Sequence, residues 1–467
     1  MESLNKFQSK SLSQLILEFS LPATIGMIVN YSYNIINRIF VGNKIGADAL
    51  SAVAVLFPIF IIIYGISFMI GMGGQTNVSL RLGEKKYNEA EKILGNTLSL
   101  IIIASILISI CILIFLEPLL DLTGSVGNIR PYSRDFMMVA VWGIMFQAVS
   151  GGMNNIIRAQ GFPNIAMWTQ IIGALFNILL DYIFLMVLNW GVKGAALATN
   201  ISTFISMSWV LYFYFSKKSI LKFRLKNFIL NSKTVGIILA IGAPTLVTQV
   251  SGSVVTLLLN HILLRYGGSN AIATMSIING IESFLFVPII GLTIGFRSII
   301  GFNYGALEFK RVRDSVKIGA SVAIGIGLIN VAIIQIFAGN LVKIFVPNNP
   351  DVILMGVPAL RLYTMFVGFI GCEIITSTFF QSIGKPTISL ILSLNRQLVL
   401  LLPLAFILPS FIGLKGIWLS GAFSDLGGSI VAFLLLIWGI NKLKIKEKKH
   451  NQEKMTKQQL GLEASNS

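Results

Sequence analysis

Twelve stretches of about 20 or more apolar residues recur along this 467-residue chain, at roughly 16–40, 49–80, 93–116, 132–158, 163–188, 194–216, 234–265, 271–302, 314–340, 355–383, 386–409 and 414–441. Each is long enough to cross about 30 Å of hydrocarbon as a helix, which satisfies its own backbone polar groups there. With 55% hydrophobic and 12% charged residues and a mean hydropathy of +0.80, too little polar surface remains for a soluble globule. The expected class is an all-α integral membrane protein with twelve transmembrane helices.

The chain also repeats itself. A single constant shift, a little under half the chain, lays Pro22 on Pro244, Ala49 on Ala271, Gly73 on Gly295 and Gly83 on Gly305. Gly161-Phe162-Pro163 meets Gly384-Lys385-Pro386 after a slip of one position, and Gly191-Val192-Lys193-Gly194 meets Gly413-Leu414-Lys415-Gly416. Each half carries six spans, an even number, so the halves enter the membrane with the same orientation as parallel repeats. The expected organisation is an N-lobe at 1–216, a basic cytoplasmic linker at 217–233, a C-lobe at 234–441 and a cytoplasmic tail at 442–467. That tail is rich in lysine at its start and polar beyond it, and is expected to meet anionic headgroups and then become disordered.

Basic residues set the orientation. With the N-terminus inside, 25 of the 36 lysines and arginines fall on cytoplasmic segments and 8 on outer ones. This bias predicts that both ends are cytoplasmic. It also accounts for the net charge of +17 without nucleic acid, because short cytoplasmic loops carry the charge. Cys111 and Cys372 lie in apolar spans and are expected to be buried packing residues. The polar N-terminus and the full-length first span predict no cleavable signal peptide.

Polar groups at membrane depth need a partner or a function. Asn177 and Asp181, four apart in the fifth span, share one helix face. A carboxylate beside an amide oxygen can hold a proton or a hard cation such as sodium. No Lys or Arg lies within a turn of Asp181 in its span, so its charged form is costly unless another helix pairs it. Thr199 and Asn154 add oxygen atoms from neighbouring spans, and Asn30, Asn34 and Asn37 form a polar stripe expected to face the bundle interior. For the asparagines, helix-to-helix hydrogen bonding is the plainer alternative. Pro22 removes a backbone hydrogen bond and is either a hinge or a tolerated membrane-helix proline.

The second half carries Gln249, Glu282, Arg297, Glu373 and Arg396. Glu373 lies eleven residues before Gly384 and Arg396 ten after Pro386, so both sit about 15 Å from the turn that joins their helices. Their matched depth predicts an ion pair, structural or substrate-binding. Glu282 and Arg297 are about four turns apart and cannot pair directly. The sequence has no Walker-type phosphate loop and no His-Glu-x-x-His motif, which leaves ATP hydrolysis and metal-assisted hydrolysis without their residues. A transporter, not an enzyme, is expected, with no cofactor beyond a coupling ion.

The run Val287-Pro288-Ile289-Ile290-Gly291-Leu292-Thr293-Ile294-Gly295-Phe296, with Gly301-Phe302-Asn303-Tyr304-Gly305 after it, resembles the eighth-span signature of the multidrug and toxic compound extrusion (MATE) transporters. Arg158-Ala159-Gln160-Gly161-Phe162-Pro163, the segment from Gly191 to Thr199, and Arg38-Ile39-Phe40-Val41-Gly42 are similar to the same family. The likeness covers nearly the whole chain and is strongest to the bacterial MepA-like branch. It implies two six-helix lobes forming a V, in a bacterial cytoplasmic membrane, that export cationic, amphipathic or aromatic drug-like compounds against a proton or sodium gradient. It implies a cation site at Asn177, Asp181, Thr199 and Asn154, with Pro22 as the point where the first span bends. Sodium there would sit at Asp181, Asn177 and Thr199.

One position departs from the family pattern. Where the family commonly has an aspartate in the first span, this chain has Asn37, which keeps an oxygen but cannot titrate. A single carboxylate at Asp181 then balances one sodium ion or holds one proton. Helix arithmetic also leaves about 10 Å of depth between Asn154 and Asn177, so a bend or relay is expected. The chain is expected to act as a monomer in the lipid bilayer. Two other readings are a lipid-linked saccharide flippase, with Arg38, Arg297 and Arg396 lining a basic cavity, and a non-transporting membrane receptor or scaffold.

Overall fold

The structure, a computed structural model, describes residues 2–347 and 349–465. Among them there is no strand. In chain order the helices are α1 (Glu2–Ser9), α2 (Leu12–Lys44), α3 (Ala47–Val55), α4 (Phe57–Gly83), α5 (Tyr87–Ile114), α6 (Leu116–Leu122), α7 (Ile129–Ala140), α8 (Ile144–Ala159), α9 (Pro163–Asp181) and α10 (Gly191–Phe215). The second half follows with α11 (Ser232–Leu285), α12 (Val287–Gly305), α13 (Phe309–Phe345), α14 (Pro350–Tyr363), α15 (Ile370–Ser382), α16 (Pro386–Leu394), α17 (Leu402–Ile412) and α18 (Leu414–Ser465). Eleven helical stretches are long and apolar enough to span a membrane, or twelve when α14 and the stretch Val367–Ser382, bent by 44°, count as one.

The duplication is written into the backbone. Left-handed φ values occur at Gly46 and Gly268, at Lys85 and Leu307, at Gly161 and Gly384, and at Gly191 and Gly413. The members of each pair are related by the repeat shift, to within a single position, so the same turns recur in both halves. Gly268, with φ 65° and ψ −160°, interrupts α11 where Gly46 separates α2 from α3. The first part of α11 therefore repeats α2, its second part repeats α3 and the first two turns of α4, and α12 repeats the rest of α4.

The lobes meet through α2 and α4 on one side and α11 and α12 on the other. Small residues let the backbones approach closely. A side chain added at Gly83 would collide with the Phe302 carbonyl, and one added at Gly305 with the Leu80 carbonyl. Leu80 and Phe302 are themselves equivalent under the repeat shift, so this contact is reciprocal about the repeat axis. Gly73 against Ile238 and Gly295 against Phe19 continue the seam. It lies at the end of the bundle that carries the basic loops after α4 and α12. Farther along α2, Ile28, Tyr31, Ile35 and Ile39 are exposed.

The linker is held to the N-lobe. Asn96 donates to the Asn227 and Ile229 carbonyls at 2.9 and 3.2 Å, Gln160 accepts from the Ile220 and Leu221 amides, and Arg224 pairs with the buried Glu91 at 2.6 Å.

Several expectations change. The tail does not leave the helix after residue 441: α18 runs on to Ser465, through Glu, Lys, Gln and Met residues that favour helix, and Arg313 holds Glu447 at 2.8 Å. Cys111 is exposed rather than buried; it lies on the outer face of α5, near the exposed Leu107 and Ile114. Pro22 is buried, and α2 continues through it from Leu12 to Lys44 without a break.

Candidate functional site

Asp181 closes α9, and its position follows from a change of winding. The next turn, Tyr182–Val187, is a π-helix, a widened geometry that often marks functional positions. Asp181 is 0% exposed, and both carboxylate oxygens lack a hydrogen-bond partner. One turn earlier, Asn177 is also buried; its amide nitrogen donates to Thr199 Oγ1 of α10 at 3.4 Å, while its Oδ1 is unpartnered. Thr199 Oγ1 in turn donates to the Ala195 carbonyl at 3.1 Å. Three oxygen acceptors without donors thus lie within one turn in a buried setting. Such a set favours a proton or an oxygen-seeking cation, because a bare buried charge costs several kcal/mol.

The other N-lobe candidates separate. Asn154 is buried but donates to the Ala166 carbonyl at 3.0 Å, eleven residues before Asn177 and about 16 Å along the helix. No bend brings it to Asp181. Asn37 is half-buried on α2 and supplies no bond to Asp181, whose oxygens have none. Asn30 and Asn34 are exposed, and Asn34 donates to the Asn30 carbonyl at 2.8 Å. Tyr33, which sequence reasoning passed over, lies within electrostatic range of Asp181. Its place four residues before Asn37, on the same helix face, was the available signal.

In the C-lobe, Arg396 sits on a second π-helical segment, Asn395–Leu401. Its Nε lies 3.5 Å from Glu373 Oε2, and its Nη1 donates to Asp425 Oδ1 of α18 at 3.0 Å. Glu282, half-buried at the end of α11, is within electrostatic range of both Arg396 and Asp425. Gly428 gives this cluster room, since a methyl group there would press on Glu373 Oε2. Asp425 is the member missed in the sequence, although an acid within an apolar span was itself the signal.

Two of the residues grouped with that cluster stand apart from it. Arg297, buried on α12, donates to Gln381 Oε1 at 2.5 Å, and Gln381 donates to the Ile241 carbonyl at 2.6 Å. Gln249 is exposed on α11, on the side facing Gly65 of the other lobe. Arg38 lies over the Phe57 ring at 5.8 Å.

With this geometry in view, the similarity to known proteins is informative. The family model MatE matches residues 22–183 and 244–407, two segments whose starts, Pro22 and Pro244, are equivalent positions of the repeat. The chain belongs to the MatE family. Its fold is that of MATE transporters: a solved structure described as the outward-facing conformation of a multidrug resistance MATE family transporter of the MOP superfamily superposes with a TM-score of 0.90 at 28% identity, covering 95% of this chain and 99% of that one. Another, described as a MOP superfamily transporter from Pyrococcus furiosus whose reversed pocket polarity suggests a different function, gives 0.89 at 28% identity over the same shares.

Among named relatives, the multidrug export protein MepA of Staphylococcus haemolyticus is 25% identical over 417 residues, 89% of this chain and 91% of MepA. That of Staphylococcus aureus strain MSSA476 is 25% identical over 441 residues, 93% and 96% respectively. MatE membership makes this multi-pass protein a transporter and not an enzyme.

Proposed function

We propose that the chain is a cation-coupled multidrug efflux transporter that exports amphipathic cationic or aromatic compounds by alternating access. The observation that carries this reading is the unpartnered, fully buried Asp181 carboxylate beside Asn177 and Thr199. An anionic Asp181 is poorly tolerated in this closed, apolar setting. A proton on the carboxyl, or sodium held by Asp181, Asn177 Oδ1 and Thr199 Oγ1, removes that penalty. The neutralised N-lobe and the charged one therefore favour different packings of α9, α10 and α2, and cation uptake shifts the balance between the two. Drug export follows when the two packings open the space between the lobes to opposite membrane faces.

The basic-loop bias supports a bacterial cytoplasmic membrane with both ends inside. In that orientation the seam at Gly83 and Gly305 closes the cytoplasmic side, as in an outward-open state. The substrate class rests on likeness to proteins named multidrug export proteins. Of the three arginines an anionic lipid-linked substrate would need, Arg396 is neutralised by Asp425 and Glu373 and Arg297 is hydrogen-bonded to Gln381, which leaves Arg38, over the Phe57 ring, without a carboxylate partner.

Reconstitution tests the proposal. Proteoliposomes loaded with an ethidium-like cation should show transport driven by a proton gradient or a sodium gradient when each is imposed separately. Equal flux with and without either gradient would contradict it.

A further inference from the structure

Three lysines converge around the middle of α18 in a way that transport does not explain. Lys385, half-buried in the turn between α15 and α16, holds its ammonium 5.7 Å from the centre of the Trp438 ring. Lys442, one turn beyond Trp438, lies 4.6 Å from the same ring. Lys446 donates to the Tyr304 hydroxyl of α12 at 2.7 Å and lies 5.2 Å from that ring's centre. The residues line one cleft with Phe380 and Ile383.

No carboxylate among the described residues pairs with any of the three; the nearby Glu447 is turned to Arg313 at 2.8 Å. Burial, and then the Lys442 and Lys446 charges, push the Lys385 ammonium below its ordinary range. The two aromatic faces attract the ammoniums, but three like charges gathered in one cleft repel one another, and an anion bound among them would offset that repulsion.

The surroundings say what kind of anion. Going back along α18 from Lys442 in steps of four residues come Trp438, Leu434 and Ile430, which are 44%, 61% and 53% exposed. This stripe passes from exposed aliphatic to tryptophan to lysine, the order found where a helix leaves hydrocarbon through the interfacial region. The geometry points to a binding site for the phosphate headgroup of one anionic phospholipid, held by Lys385, Lys442 and Lys446, with its acyl chains along Leu434 and Ile430. It differs from diffuse attraction of the basic tail because three separate elements, α12, the α15–α16 turn and α18, build it.

The test is native mass spectrometry of the full chain in detergent, titrated with dioleoylphosphatidylglycerol or with dioleoylphosphatidylcholine. Three samples are compared: the unaltered protein, the triple variant Lys385→Ala/Lys442→Ala/Lys446→Ala, and an equal-charge control, Lys444→Ala/Lys448→Ala/Lys449→Ala. The unaltered protein should retain one phosphatidylglycerol in preference to phosphatidylcholine. The site variant should bind it roughly 100-fold more weakly, from about fivefold per lysine, and the control within about threefold of the unaltered protein. Equal weakening in both variants, no preference between the lipids, or displacement of the lipid by inorganic phosphate at equal concentration would overturn the proposal.

Discussion

Gly83 and Gly305, equivalent positions in the two halves of the chain, cross the seam between the lobes as reciprocal partners: each lies against the backbone of the helix that carries the other. The duplication that defines the two lobes also makes the surface on which they meet. If the lobes move against one another as proposed, such a seam has to be tight enough to seal and free of side chains that would lock it.

Gly83→Ala and Gly305→Ala should therefore act alike. Each places a methyl group against a carbonyl that cannot move independently of its helix, and overpacking of this kind costs about 1–3 kcal/mol. Thermal denaturation in detergent should show a lowered midpoint for both variants, while Gly325→Ala on α13, where a methyl meets open space, stays unchanged. A normal midpoint for both seam variants would contradict the packing argument.

The C-lobe cluster gives a second expectation. Arg396 is the counter-charge for Glu373 and Asp425, so Arg396→Gln leaves two buried acids uncompensated and should cost about 3–5 kcal/mol. Pairing it with Asp425→Asn should cost less than the sum of the two single changes. A double-mutant cycle on the unfolding free energy measures this coupling; strict additivity would mean that the pair is not an energetic unit.

The N-terminal helix α1 is fastened across the seam. Phe7, 0% exposed, stacks on Phe302 at 4.7 Å and packs on Phe19 at 5.1 Å, so it touches both lobes. Arg311 of α13 donates to the Phe7 and Lys10 carbonyls, both at 2.9 Å. Hydrogen bonds from a charged group are worth about 1.5–3 kcal/mol. Arg311→Ala should raise amide hydrogen exchange across residues 2–10 by about tenfold or more and leave α5 unchanged. Unaltered exchange in α1 would show that its hold lies elsewhere.

Much of this molecule was legible in its sequence, for reasons that differ by feature. The spans and lobes could be read because hydrocarbon thickness fixes helix length and because the repeat preserves residues with special backbone demands, such as Gly161 and Gly384. The Glu373 and Arg396 contact followed from equal depth on adjoining helices. Three-dimensional rotation was not legible: Asn154 turned to a backbone carbonyl of α9, and Arg297 turned to Gln381, because depth along a helix does not say which neighbour a side chain faces. The two π-helical segments, at Asp181 and Arg396, have no local sequence signature here. Asp425 was legible by the same rule that selects Glu373 and was passed over. The helical tail reflects good helix formers that continue from a span already formed, where composition alone suggested disorder.

The proposed coupling rests most on Asp181. The decisive measurement is gradient-driven transport of an ethidium-like cation in proteoliposomes by Asp181→Asn, compared with the unaltered protein at equal reconstitution and with its folding checked by thermal denaturation. The expected result is a folded variant whose flux no longer responds to either a proton or a sodium gradient. Gradient-driven flux equal to that of the unaltered protein would contradict it.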